Sequence, residues 1–268
     1  MRRNFSSRAR ELSGGDTIVI SIPNSGRTWV RTFLCAYFCA RYAHPFSLHP
    51  EAYHDARIPQ IIYTHDLYEH RTKTRRWERV RGKFLVPGGE IKRAGIILLA
   101  RDPRDAFVSH YVELMRRTAE TADKLKSQAV GELIRDPVFG IGLMIQTMND
   151  WLKEFARRPD CTLIRYEDLH AAPTEQFHRV LAAVGEAEPE AVHFEHALQT
   201  SRFGNMRKME ASREYDRQIL QPGDVNDPES YKVRRGKIGG YVDYLSRSDV
   251  DYADQTMSAL DPRFGYRI

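Results

Sequence analysis

The chain has 268 residues, a formal net charge of +5 and a pI of about 9.1, with 41% hydrophobic and 29% charged residues. That length and balance fit one large globular domain spanning 1–268, and no apolar run approaches the roughly 20 residues that a membrane span needs. Three cysteines, an odd number, argue against a disulfide framework, and the basic balance suits an anionic ligand.

The first residues, "MRRNFSSRARELSGGD", are basic and polar and lack the apolar core of a signal peptide. They are expected to form a loosely ordered N-terminal segment over 1–16. A cytoplasmic protein is expected, or a catalytic domain cut from a longer anchored precursor. The run "TIVISI" at 17–22 predicts a buried strand, which stops at Pro23 and gives way to Asn24-Ser25-Gly26-Arg27-Thr28. From there Trp29, Val30, Phe33, Leu34, Tyr37 and Phe38 recur at helical spacing, predicting a helix over 26–42. A polar loop between a strand and a helix N-terminus favours an anion, because the first helical N–H groups have no intrahelical partners. Gly26 allows close backbone approach, and Ser25 and Thr28 add hydroxyl donors; an ordinary capped turn is the alternative. Cys35 and Cys39 lie one turn apart on this helix and read as core thiols, with no further ligand to make a metal site.

Three more apolar runs predict parallel strands: "QIIYT" at 60–64, "AGIILLA" at 94–100 and "CTLIRY" at 161–166. Helices are expected at about 104–117, 141–157, 173–184, 188–198 and 247–260. This alternation predicts an α/β fold, a central mostly parallel sheet flanked by helices. Between the strands, "HRTKTRRWERVRGK" at 70–83 carries seven Lys or Arg against one Glu and reads mainly as a solvated loop. In such folds ligands sit at the carboxyl ends of strands. Those ends are Asn24–Thr28, Thr64-His65-Asp66, Arg101 and Tyr166-Glu167-Asp168, so an anion loop, a histidine, an arginine and a tyrosine converge on one edge.

Read together, these blocks resemble a known family. "IPNSGRTW" is similar to the "YPKSGTTW" signature of sulfotransferases that use 3′-phosphoadenosine-5′-phosphosulfate (PAPS). "ARDPRDAFVSHY" at 100–111 resembles the family's 3′-phosphate block, and "RRGKIGGY" at 234–241 its "RKGxxGDW" loop. "YTHD" falls where the family carries its "THL" histidine, and "RYEDL" matches "YEDL". The resemblance covers about 17–245 and implies the P-loop nucleoside-triphosphate-hydrolase-like sulfotransferase fold. It implies sulfuryl transfer from PAPS to a hydroxyl or amine of a small-molecule or glycan acceptor, releasing the desulfonated product PAP, without a metal.

Carried over residue by residue, the resemblance places Asn24, Ser25, Gly26, Arg27 and Thr28 around the 5′-phosphosulfate and Trp29 against the adenine. It gives the 3′-phosphate to Arg101 and Ser109, with Arg234, Arg235 and Gly236 closing over it. Tyr166 would contact the adenine edge; Phe203, with Ser201, would assist, although Arg202 interrupts that motif. Asp102 and Asp105 read as structural groups at a helix N-terminus. His65 is the implied base, an imidazole whose pKa near ambient pH suits proton removal.

Two residues depart from the family pattern: its loop lysine is Asn24 here, and the lysine two positions before the histidine is Tyr63. Arg27 is the expected replacement cation. A non-catalytic PAP-binding protein is the alternative that these losses raise. A kinase reading lacks support, since the loop has neither the first Gly nor the Lys of a Walker motif and no strand ends in an Asp for Mg²⁺. No nucleic-acid-binding module is recognisable. Acceptor contacts are expected from 44–60, 66–93, 111–140 and 205–233. Phe46, Tyr53, Trp77 and Tyr111 would form an apolar pocket, or the basic stretch at 70–83 would hold an acidic glycan or peptide. Oligomeric state is left open.

Overall fold

The computed structural model describes residues 12–117 and 128–266. Most of the expected N-terminal segment, and residues 118–127 of one expected acceptor segment, lie outside the described residues. Four parallel strands form the sheet in the order β2-β1-β3-β4, where β1 is Thr17–Ser21, β2 Ile61–Thr64, β3 Gly95–Ala100 and β4 Cys161–Arg165. Each expected strand is one residue shorter, β1 and β4 at the C-terminal end and β2 and β3 at the N-terminal end.

The sheet is covered on both faces, as a parallel sheet of apolar strands requires. Ile18, Ile20, Ile96 and Leu98 face one layer, made by α4 (Pro103–Arg116), α5 (Ile141–Phe155) and α10 (Arg247–Met257). Val19, Ile97, Leu99 and Ile164 face the other, made by α1 (Arg27–Arg41), α7 (Pro173–Ala183) and α8 (Ala191–Thr200). Phe33 of α1 stacks on Phe177 at 4.0 Å between ring centroids, which fixes α1 against α7. Cys35 and Cys39 are buried in α1.

Several elements were not legible as helices. Residues 70–83 carry the end of α2 (Asp66–Lys73) and α3 (Arg76–Val80), so the expected solvated loop is corrected to helical structure. Its charges are drawn into local pairs, Lys73 with Glu69 and Lys83 with Glu78, and Arg71 reaches Asp150 on α5. α6 (Tyr166–Ala171) and α9 (Phe203–Ser212) are likewise helical, and the helix expected at 188–198 lies at 191–200.

The turn after β2 is held by a buried carboxylate. Asp66, with φ of 38°, accepts hydrogen bonds from the Val86 amide (2.8 Å) and the Trp151 indole (3.1 Å), tying three segments together behind His65. Removing the carboxylate strands two buried donors, each costing on the order of 1–3 kcal/mol. Asp66→Ala is therefore expected to lose about 2–4 kcal/mol in urea unfolding with the slope of the transition unchanged; a loss below about 1 kcal/mol would contradict this role.

Candidate active site

The site begins where β1 ends. Asn24 (φ 60°) and Gly26 (φ 93°) both adopt left-handed backbone, which turns the chain sharply into α1. A Cβ at Gly26 would lie 2.9 Å from the Tyr166 ring, so glycine is required by conformation and by space. No side chain caps α1, and its first turn carries no acidic residue. The N–H groups there are therefore available to an anion. Ser25 Oγ is buried without a hydrogen-bond partner among the described residues, as is Arg101 Nε. Unpartnered buried donors beside an uncapped helix are what an anionic donor molecule would satisfy.

Arg101 leaves the end of β3 and donates from Nη1 to the Asn24 carbonyl (2.8 Å) and to Ser109 Oγ (3.2 Å). Its guanidinium lies 4.3 Å from the Tyr166 ring centroid. Trp29 packs edge-on against His170 at 4.8 Å and Tyr166 at 6.0 Å. These groups line one cavity together with Asn24, Gly26, Arg27, Thr28, His65, Ser201, Phe203, Arg234, Arg235 and Gly236. Ser25 lies buried beneath it.

The loop over this cavity is clamped from below. Asp105 accepts from the Gly239 (2.7 Å) and Tyr241 (3.0 Å) amides, while Asp102 caps α4 through the Arg104 amide. Gly236 (φ 59°) would place a Cβ 3.0 Å from Phe203. Arg234 pairs with Glu229 at 2.8 Å, and Arg235 with Asp243 at 2.8 Å. Each guanidinium keeps further N–H donors beyond those pairs.

At the other end, Arg27 and His65 meet. His65 Nδ1–H donates to the Ser21 carbonyl (2.7 Å), which leaves Nε2 as the acceptor for Arg27 Nη2 at 2.6 Å. The ambient pKa expected of His65 is corrected: burial first, and then the adjacent guanidinium, push it well below 6.5. Burial also lowers Arg27, to about 10.

Asn24 is not idle. Its Nδ2 donates to Glu113 Oε2 at 2.9 Å. Burial would raise Glu113, but the nearby His110 ring (3.7 Å), the charge of Lys232 and the hydrogen bond from Asn24 hold it well below the usual carboxylate range. Tyr63 lies under Arg31, whose guanidinium is 4.2 Å from the ring centroid.

A second cavity of about 420 Å³ abuts the first, and Arg27 and His65 line both. Its wall includes Leu34, Phe38, Leu48, Ile58, Ile62 and Phe84. The expected pocket of Phe46, Tyr53, Trp77 and Tyr111 is corrected, since none of them lines either cavity. Tyr53 stacks on His44, Tyr111 packs on the core and Trp77 is 57% exposed. No residue of 70–83 lines either cavity. Segments 44–60, 66–93 and 205–233 do contribute to the second cavity, through Leu48, Phe84 and Ile219 among others.

Sequence reasoning missed Glu113, His170 and Lys232. Glu113 follows Ser109, and His170 follows Tyr166, by four residues on a shared helix face, a signal that was available. Lys232 precedes the "VRRG" run with no spacing to single it out. Among the described residues there is no group of three or more His, Cys, Asp or Glu side chains that could hold a metal ion, and no helix is long and apolar enough to cross a membrane.

The fold is P-loop-like α/β, with an uncapped helix N-terminus and unpartnered buried donors at the end of its first strand. The chain belongs to the sulfotransferase family: the Sulfotransferase domain model matches residues 14–261. No curated protein sequence matches it significantly. Among solved structures, mouse sulfotransferase SULT7A1 complexed with PAP is similar at 16% identity and TM-score 0.64, over 95% of this chain and 90% of that one. Retinol dehydratase in complex with androsterone and inactive cofactor PAP is similar at 15% identity and TM-score 0.63, over 94% and 82%. The same enzyme with retinol and PAP gives 15% and 0.63, over 94% and 83%.

Because the folded chain keeps His65 neutral, the unfolded chain binds the extra proton as pH falls below 6.5. The stability that His65 contributes is thus complete above that pH and declines as pH drops below it. Arg27→Met should move the His65 ring titration toward 6.5 when followed by NMR. An unchanged titration would remove the guanidinium as a cause.

Proposed function

We propose that this sulfotransferase moves the sulfuryl group of PAPS to the hydroxyl of a small apolar molecule seated in the second cavity. The observation that carries this reading is that Arg27 and His65 line both cavities, so donor and acceptor sites meet at a base and a cation. The orphaned Ser25 and Arg101 donors, with the uncapped α1, fit the two phosphate groups of PAPS. Trp29, Tyr166 and Phe203 offer aromatic surface for its adenine, and Arg101, Ser109, Arg234 and Arg235 offer donors for its 3′-phosphate.

Transfer requires in-line attack at sulfur. The acceptor oxygen forms the new S–O bond, its proton passes to His65 Nε2, and the bond to the 5′-phosphate breaks with its electron pair on PAP. A base with a depressed pKa is unprotonated across the neutral range, and the Ser21 carbonyl holds its tautomer. Arg27 must release Nε2 as the acceptor arrives, which frees its guanidinium for the developing charge.

The acceptor class follows from size and lining. A cavity of about 420 Å³ is small for a chain of sugars and lies in the range of ordinary small-molecule sites. Leu34, Phe38, Leu48, Ile58, Ile62 and Phe84 give its wall an apolar part for the body of the acceptor, while Arg31, Glu51, Gln60 and Glu69 on the same wall offer partners for polar groups on it. The retinol dehydratase complexes, which hold retinol or androsterone, show apolar molecules on a related fold.

Two measurements test the reading. PAPS-driven sulfuryl transfer should favour apolar alcohols or phenols over glycans by at least ~10² in kcat/KM, whereas glycan preference would overturn the acceptor class. Arg27→Ala should lower kcat by ~10²–10³, the usual cost of a placed transition-state donor, with PAP affinity changed only a few-fold. Equal losses in both would remove its transition-state role.

A further inference from the structure

Lys232 lines the donor cavity alongside Asn24, Arg27, Glu113 and Arg117. Its backbone is held by buried partners. The Lys232 and Val233 amides donate to Glu210 Oε1 (2.6 Å) and Oε2 (2.8 Å), and Glu210 is fully buried. Arg207 Nη1 donates to the Val233 (3.0 Å) and Arg234 (2.6 Å) carbonyls. The segment that carries the lysine is therefore clamped from both sides.

The charges facing the ammonium locate it within the cavity. Glu113 and Arg117 face it from α4 and the residue after it, Arg27 from α1, and Glu210 from α9. Glu113 is the carboxylate bonded to Asn24, and Arg27 is the group bonded to His65. Lys232 thus shares the cavity wall with Asn24 and Arg27 of the loop after β1 and with Glu113, the carboxylate bonded to that loop. Burial lowers its pKa to about 8, an effect that Glu113 partly offsets and Arg117 and Arg27 deepen.

We propose that Lys232 is the cation that neutralises the 5′-phosphate as sulfur departs, the charge that Asn24 does not carry. This assignment rests on the reading of the cavity as a PAPS site. As the sulfur–oxygen bond to the phosphate breaks, the bridging oxygen keeps the electron pair, and the Lys232 ammonium donates a hydrogen bond to that oxygen. The acceptor's proton still goes to His65, so Lys232 neither gains nor loses a proton in the step. Glu113, which accepts from Asn24 Nδ2, supplies a negative charge facing the ammonium.

The test uses PAP and reads protons as well as turnover. An ammonium half-deprotonated near pH 8 takes up a proton when a phosphate becomes its partner. Calorimetry of PAP binding at pH 8, in two buffers of different ionisation enthalpy, should show an uptake of about half a proton. Lys232→Arg should abolish that uptake while keeping PAP binding and turnover within ~10-fold. Lys232→Gln should abolish the uptake, weaken PAP about 10-fold and lower kcat by ~10² or more. The backbone clamp is independent of the side chain, so both variants are expected to fold. Wild-type proton uptake and near-normal turnover in Lys232→Gln would overturn the assignment. No PAP binding by the wild-type chain would instead overturn the donor reading, and this assignment with it.

Discussion

The left-handed turn at Asn24–Gly26 constrains the rest of the site. It ends β1, swings the chain into α1 without a capping side chain, and leaves the first amides of the helix open. Because Gly26 sits against the Tyr166 ring, the turn also sets how closely β4 and its following helix approach the loop. Arg101 completes the arrangement from β3 by donating to the Asn24 carbonyl. Strand order then brings His65 beside Arg27, since β2 is the direct neighbour of β1. Loop, arginine, tyrosine and histidine therefore share one edge because of parallel topology, without long excursions of the chain.

Charge in this site is redistributed rather than lost. Asn24 and Tyr63 are neutral where the family pattern has lysines, yet the same region holds Arg27, Arg31 and Lys232. These cations come from the first helix and from the loop after α9. They are buried to different degrees and balanced by Glu113 and Glu210, whose carboxylates accept from Asn24 and from the loop backbone. A buried cation without such partners would shed its proton or its position. The lowered values of Arg27 and Lys232 mark how far burial has gone. Anionic donor binding would relieve both.

Much of this was legible in the chain. The four strands are dense apolar runs that end in polar clusters, and parallel sheets bury such runs on both faces, so the strands and the edge they present followed from pattern alone. Most residues that line the first cavity were legible because they sit in contiguous motifs, several of them at strand ends. Helices such as Tyr166–Ala171 and Phe203–Ser212 were not, because they are short, polar and stabilised by tertiary packing rather than by periodicity. The second cavity was unreadable for a related reason. Its wall is assembled from single apolar residues on segments far apart in sequence, and the aromatics that looked available are spent on His44, on the core or on the surface. The depressed pKa of His65 needed three dimensions, since it arises from burial and from a guanidinium 38 residues away.

If the first cavity is the PAPS site, it must prefer an adenine nucleotide phosphorylated at both the 3′ and 5′ positions. Thermal unfolding in the presence of PAP, AMP, ADP or ATP·Mg²⁺ at matched concentrations tests it most directly. At about 100 times its dissociation constant a ligand adds roughly 2.7 kcal/mol of stability. PAP should give the largest stabilisation, and Arg101→Ala should lose it. Preference for ATP·Mg²⁺, or no response to any of the four, would contradict it.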